Sequence, residues 1–218
     1  MIKYYKTKSG KVIEEDEFIE GCWIKAVNPS KKELRELSLN FNIDLETLSM
    51  SLDREEPSRL EIEEDYNMIL IDIPTDESNS NTTVYSTIPL SIFLVDNAII
   101  TICSIETDVL NTFINNRVKG FSTVKRSRFL FQILQQNALY YLKYLKQIDI
   151  LMNRIEKNIY NSVKNEELVQ ILNLEKSLIY FSTSLKSSDV ILIEPSPAYE
   201  RSSLRWGILF LSSLNKRY

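Results

Sequence analysis

The chain has 218 residues, 44% hydrophobic and 26% charged, enough to bury a sizeable core in one or two domains. It contains no histidine, which excludes Ser-His-Asp and Cys-His catalysis, His-ligated zinc, haem with a proximal His and a histidine pH switch. Four glycines, none spaced for a phosphate-cradling loop, and a net charge of −4 from 26 bases and 30 acids make nucleotide and nucleic-acid binding poor first expectations.

The N-terminus, Met1-Ile2-Lys3-Tyr4-Tyr5-Lys6, has no apolar core of a signal peptide. No run reaches the roughly 20 mostly apolar residues of a membrane span. Ile88 to Ile105 comes nearest and is broken by Asp96-Asn97. The expectation is a soluble chain. Cys22 and Cys103 sit in apolar stretches and read as reduced core thiols, with a disulfide as the alternative.

Gly21 to Val27 reads as a strand. A helix follows, started by Asn28 with Pro29 in its first turn or by a Ser30/Glu33 capping box, with Leu34, Leu37 and Phe41 as its buried stripe. Asp44 caps a second, short helix bearing Leu45, Leu48 and Leu52. From Arg59 the period becomes two. Leu60 and Ile62 alternate with Glu61 and Glu63, Asp65-Tyr66-Asn67 turns into Met68–Ile73, and a polar loop over 76–83 leads to Ile88–Val95. Asp96-Asn97 turns that strand into Ala98–Cys103. These pairings predict a four-strand antiparallel meander, and its doubly apolar runs predict a sheet covered on both faces. A helix at about 107–116 supplies part of one layer.

From Phe121 to Glu194 there is neither Gly nor Pro. Phe129, Ile133, Asn137, Tyr140, Tyr144, Ile148, Leu151, Ile155 and Ile159 recur at steps of four and three, which predicts a long amphipathic helix. Tyr140, Tyr141 and Tyr144 read as packing residues on it. A break at Asn161-Ser162 or Asn165 leads to a returning helix with Leu168, Ile171, Leu172, Leu178, Phe181 and Leu185 as its stripe. Glu175 falls on that apolar side, where a partner is expected. The division is thus an α/β domain over 1–120, a helical pair over 121–192 and an atypical, unassigned tail over 193–218.

Two charge features stand out. Residues 43–77 hold twelve acids against Arg54 and Arg59. Clustered carboxylates are raw material for a hard divalent cation such as Mg²⁺, although composition alone fits a solvated face better and no dedicated cage spacing is present. Arg117, Lys119, Lys125, Arg126 and Arg128 follow one another with no acid between. Nucleic acid, anionic lipid or the acidic region could meet them, and a solvated linker or internal charge partner is the plainer reading.

Longer strings carry a resemblance. Val27-Asn28-Pro29-Ser30-Lys31-Lys32-Glu33 is followed by Leu52-Asp53-Arg54-Glu55-Glu56 and Ser58-Arg59-Leu60-Glu61. Ile69-Leu70-Ile71-Asp72-Ile73-Pro74, Ile88-Pro89-Leu90-Ser91-Ile92-Phe93-Leu94 and Ile99-Ile100-Thr101-Ile102 come next. Tyr141-Leu142-Lys143-Tyr144-Leu145-Lys146, Asn165-Glu166-Glu167-Leu168 and Leu174-Glu175-Lys176-Ser177-Leu178 complete the order. Over roughly 20–192 the chain resembles the N-terminal cytoplasmic domain of CorA-type magnesium/cobalt transporters, in the variety found in Gram-positive bacteria.

The resemblance implies an α+β fold: an α/β/α sandwich with a largely antiparallel sheet, then a long helical hairpin. It also implies a stalk helix and membrane helices beyond the segment seen here, so the chain is expected to be the cytoplasmic part of a homopentameric channel at the cell membrane, without catalytic residues. In the family, Mg²⁺ held between neighbouring cytoplasmic domains favours the closed pore. The ion is expected to be Mg²⁺, with Co²⁺ as the alternative. The partners expected are other copies of the chain and divalent cations, with no nucleic acid. Many members place a Glu-Asp pair on the short helix, where an ungapped alignment puts Ser49 and Met50; Asp53, about one turn on, is the candidate substitute. The alternatives are an interaction or scaffold protein of the same architecture without specific metal binding, and a Mg²⁺-dependent enzyme using the 43–77 carboxylates.

Overall fold

A computed structural model describes residues 1–79, 82–159 and 165–193. Seven strands form one sheet in the order β2-β1-β3-β7-β6-β5-β4. They are β1 (Ile2–Lys8), β2 (Lys11–Glu15), β3 (Trp23–Val27), β4 (Arg59–Ile62), β5 (Tyr66–Asp76), β6 (Tyr85–Val95) and β7 (Ala98–Cys103). The helices are α1 (Lys31–Phe41), α2 (Leu45–Met50), α3 (Asp108–Ile114), α4 (Arg126–Ile159) and α5 (Asn165–Ile193). The expected meander is β4 to β7, antiparallel throughout, and only the central β3–β7 pair is parallel.

The β1–β2 hairpin is additional to the expected elements. Its short turn is made by Ser9 and Gly10, both at positive φ, where glycine meets no Cβ penalty. At the start of α1 the choice falls to Ser30. Its hydroxyl accepts the Glu33 N–H at 3.3 Å while the Glu33 carboxylate accepts the Ser30 N–H at 2.7 Å. That carboxylate also accepts the Ile2 N–H at 3.0 Å, fastening α1 to β1. Asp44 caps α2 as expected, and Thr107 caps α3.

Both sheet faces are covered, which is why β7 is buried at every position. One face packs Ile24, Ala26, Met68, Leu70, Phe93 and Ile100 against Leu34, Leu37 and Leu48 of α1 and α2. The other packs Trp23, Ile71, Leu90, Ile92 and Ile99 against Val109, Leu110 and Phe113 of α3 and Phe129 and Ile133 of α4. Trp23 is fully buried, stacks edge-on with Phe113, Phe121 and Phe129, and gives its indole N–H to Thr101 at 2.8 Å. Cys22 belongs to the first face and Cys103 to the second, so the sheet itself separates the two thiols.

The long helix is α4, and Tyr141 and Tyr144 are buried on it as expected. The break before α5 lies outside the described residues, as does the tail beyond Ile193. The stripe expected on α5 needs correction. Phe181 is buried, but Leu168, Leu172, Leu178 and Leu185 are exposed, and the residues facing inward are Leu174, Ser177, Phe181 and Ser184. Serine lets the helix approach closely: Ser177 Oγ accepts the Tyr85 N–H at 2.9 Å, and Ser184 Oγ donates to Thr87 Oγ1 at 2.8 Å. Glu175 is exposed rather than on the buried side.

Candidate functional site

The acidic segment runs over α2, the following turn, β4 and β5, and most of its carboxylates have structural duties. Asp44 caps α2. Arg54 Nη2 reaches Glu77 at 2.9 Å. Arg59 is forked between Glu56 and Glu61 and also donates to Met50 Sδ at 3.5 Å. Burial alone would lower the Arg59 pKa, but its two carboxylate partners raise it above the ordinary guanidinium value. Asp65 accepts from the Asn42 amide.

Asp53 stands on the turn after α2. It is exposed, and its Oδ1 accepts the Glu55 N–H at 3.0 Å. Ser49 turns its hydroxyl back to the Leu45 carbonyl at 2.7 Å, so neither it nor Met50 offers an anionic ligand. Glu46, Glu55, Glu63 and Glu64 are exposed as well. Among the described residues, no three His, Cys, Asp or Glu side chains converge as a metal-binding group. A hard cation wants six or more oxygens. Among the described residues, Asp53 thus has no companion carboxylates placed with it as a metal-binding group.

A cleft of about 270 Å³ opens where the β4–β5 turn, the β6–β7 turn and the start of α4 meet. Glu63, Glu64, Asp65, Asp96 and Arg126 are among its lining residues. The basic segment thus begins to meet the acidic one at Arg126. Arg117, Lys119, Lys125 and Arg128 do not share that cleft and remain exposed.

Two buried polar links escaped the sequence reading. Lys25, almost wholly buried on β3, donates to Glu106 at 2.6 Å and to Asn111 at 3.0 Å. Asp72 on β5 offers its backbone carbonyl to Asn137 Nδ2 at 3.0 Å and to the Tyr141 hydroxyl at 3.2 Å, joining α4 to the sheet. Burial raises the Asp72 carboxyl pKa above the usual range, and the Ser184 hydroxyl offsets this in part. The signals were a lone Asn in the α4 stripe and a lone Asp in the apolar run of β5.

Among the described residues, no helix is long and apolar enough to cross a membrane. A family model described as CorA-like Mg2+ transporter protein matches residues 20–197. The cobalt/magnesium transport protein CorA of Methanocaldococcus jannaschii is 26% identical over 180 residues, covering 78% of this chain. The chain spans about half, 54%, of that relative's length. The solved soluble domain of the same archaeal CorA superposes with a TM-score of 0.79 at 22% identity, covering 97% of this chain and 86% of the domain. The ZntB cytoplasmic domain from Vibrio parahaemolyticus gives 0.66 at 13% identity, covering 98% and 88%. These structures share the fold: a mixed seven-stranded sheet between helical layers, continued by a long helix. With the family model matched over most of its length, the chain belongs to the CorA-like Mg²⁺ transporter family.

Proposed function

We propose that this chain is the cytoplasmic regulatory part of a divalent-cation transporter, carrying Mg²⁺ or Co²⁺, that works as a homopentamer on the inner face of the cell membrane. The observation that supports this most is the correspondence of 97% of the chain with the soluble domain of a CorA protein. No catalytic residue is assigned. Asp53 contributes one carboxylate to a regulatory Mg²⁺, and water and a neighbouring copy contribute the rest. An ion bound better in one arrangement of the copies than in another shifts the population towards the first by its differential affinity, and this is all that gating requires. Ser49 and Met50 contribute no charge to that site, so the ion is held more weakly than two carboxylates would hold it.

A second reading, an interaction protein of the same architecture without specific metal binding, is favoured by one observation. Leu168, Leu172 and Ile179 are exposed at 46%, 63% and 58%, on the side of α5 opposite its buried residues. A helix apolar on two sides expects cover on both. Equilibrium dialysis with Co²⁺ under Mg²⁺ competition separates the readings. The regulatory reading expects saturable Co²⁺ binding that Mg²⁺ displaces and that weakens in Asp53→Ala; the interaction reading expects neither.

A further inference from the structure

One carboxyl group stands at the joint between the sheet and the helical pair. Asp72 lies on β5 beyond Leu70, where the pairing with β4 ends, and its backbone carbonyl takes the Asn137 and Tyr141 donors of α4. Its side chain belongs to the face shared with Pro89, directly opposite on β6, and with Thr87, opposite Pro74. Ser184 of α5 meets that face. Its hydroxyl donates to Thr87 Oγ1 at 2.8 Å and lies beside the Asp72 carboxyl.

Around this point α5 is held by hydroxyls and two apolar side chains. Ser177 Oγ accepts the Tyr85 N–H at 2.9 Å, Ser187 Oγ accepts the Ser58 N–H at 3.2 Å, and Leu174 and Phe181 are buried. The Ser58 hydroxyl is buried without a partner among the described residues, so even the closed joint carries unsatisfied polarity. Burial opposes charge on Asp72, and Ser184 answers it only in part. A hydroxyl has one proton, and that of Ser184 is given to Thr87. Tyr141 on α4 and Tyr85 on β6 are pushed up from the ordinary phenol value by burial, and so stay neutral across the physiological range. Lys143 of α4, Glu175, Lys176 and Lys186 of α5 and Asp76 of β5 are exposed. Arg59 of β4 is held between Glu56 and Glu61.

We propose that the Asp72 carboxyl is a proton-operated latch for α5: protonated, it lets the helix close on the sheet, and ionised, it favours the helix lifted away with the carboxylate in water. The device requires no metal and no second copy, so it does not rest on the regulatory reading above. The population shift follows from linkage, since closure takes up the proton that opening releases. Closing strengthens as pH falls from the carboxyl's value in the closed form towards its lower value in the open form, by at most about tenfold per pH unit for one proton. Outside that window it is constant. The α4 contacts stay in place throughout, because they use the Asp72 backbone carbonyl and not its carboxyl. Acidification therefore adds α5 to an attachment that α4 already makes.

Amide hydrogen exchange of the full chain from acid to mildly alkaline pH, corrected for the intrinsic pH dependence of exchange and with EDTA present throughout, tests this. At the alkaline end the α5 amides are expected to exchange ahead of those of β7. Their protection should rise as pH falls, by up to about tenfold per pH unit. In Asp72→Asn the α5 protection should be high and flat with pH. Ser177→Ala should lower it at every pH and keep the slope, because the Tyr85 N–H does not titrate. An α5 response that survives in Asp72→Asn overturns the proposal, as do α5 amides no faster than those of β7 at alkaline pH. Should Asp72→Asn fail to fold, the ¹³Cγ resonance of Asp72 in the unaltered chain decides. Its titration midpoint must fall where α5 protection begins to rise, and a midpoint elsewhere overturns the proposal. Failure here leaves metal binding untouched, and failure of metal binding leaves the latch standing.

Discussion

The Tyr141 hydroxyl on α4 donates to the backbone carbonyl oxygen of Asp72 on β5 at 3.2 Å, one helical turn from Asn137, which donates to the same oxygen at 3.0 Å. One carbonyl with two donors ties α4 to the sheet, beside the Ser177 and Ser184 hydrogen bonds that tie α5 to it. Tyr141→Phe is expected to cost about 1 kcal/mol, the net worth of a typical hydrogen bond. Asn137→Ala costs more, because it also removes packing. The two act on one acceptor, so their effects in urea unfolding should not add.

Asp72→Asn is expected to stabilise the protein near neutral pH. Burial raises the Asp72 carboxyl pKa in the folded state, so folding favours the protonated form and ionisation costs stability. The cost is fully present above the raised folded value. It fades as pH falls towards the unfolded value, below which the group contributes nothing to the pH dependence. The melting-temperature gap between Asp72→Asn and the unaltered protein should therefore narrow on acidification. A constant gap would remove Asp72 as the cause.

Glu33 shows the opposite sign. The Ser30 N–H is the main cause holding its carboxyl below the usual range, against a smaller burial effect. Its contribution is present above the unfolded carboxyl value and is lost as pH falls through the lowered folded one. Glu33→Ala should cost about 1 kcal/mol at neutral pH by opening the capping box and freeing the Ile2 N–H. The difference from the unaltered protein should shrink in acid, measured by urea unfolding.

The meander, the caps and the long helix were legible because each is a local pattern: period two around Arg59–Ile62, Asp44 before an apolar turn, a four-three repeat along α4. The β1–β2 hairpin was missed because Lys3, Lys6 and Lys8 interrupt its apolar residues. Its signals were Ser9-Gly10 and the β-favouring Tyr4, Tyr5, Val12 and Ile13 on either side. On α5 the error has a different cause. Periodicity ranks leucine above serine, yet the face against the sheet uses Ser177 and Ser184 for hydrogen bonds and close approach, leaving Leu168 and Leu172 outside. The acidic composition of 43–77 was plain, but which carboxylates are tied to Arg54 and Arg59 depends on the turn between α2 and β4. Asp53 was nameable from sequence only through the family resemblance.

Cys22 and Cys103 are expected to resist thiol reagents in the folded protein and to titrate as two free thiols once it is unfolded. Both are wholly buried, and burial pushes the Cys103 thiol up to about 12. They belong to opposite faces of the sheet, which rules out the disulfide left open by sequence. Rapid labelling under native conditions would show that the sheet opens.

The most direct test of the regulatory account is thermal unfolding across a MgCl₂ series, with CoCl₂ and ionic-strength-matched NaCl beside it. An ion bound only by the folded protein stabilises it by about 1.4 kcal/mol at ten times its dissociation constant. The account predicts a saturable rise specific to divalent ions that shrinks in Asp53→Ala. A response identical to matched NaCl, unchanged by that substitution, would mean that the carboxylates of 43–77 are only screened, and would contradict it.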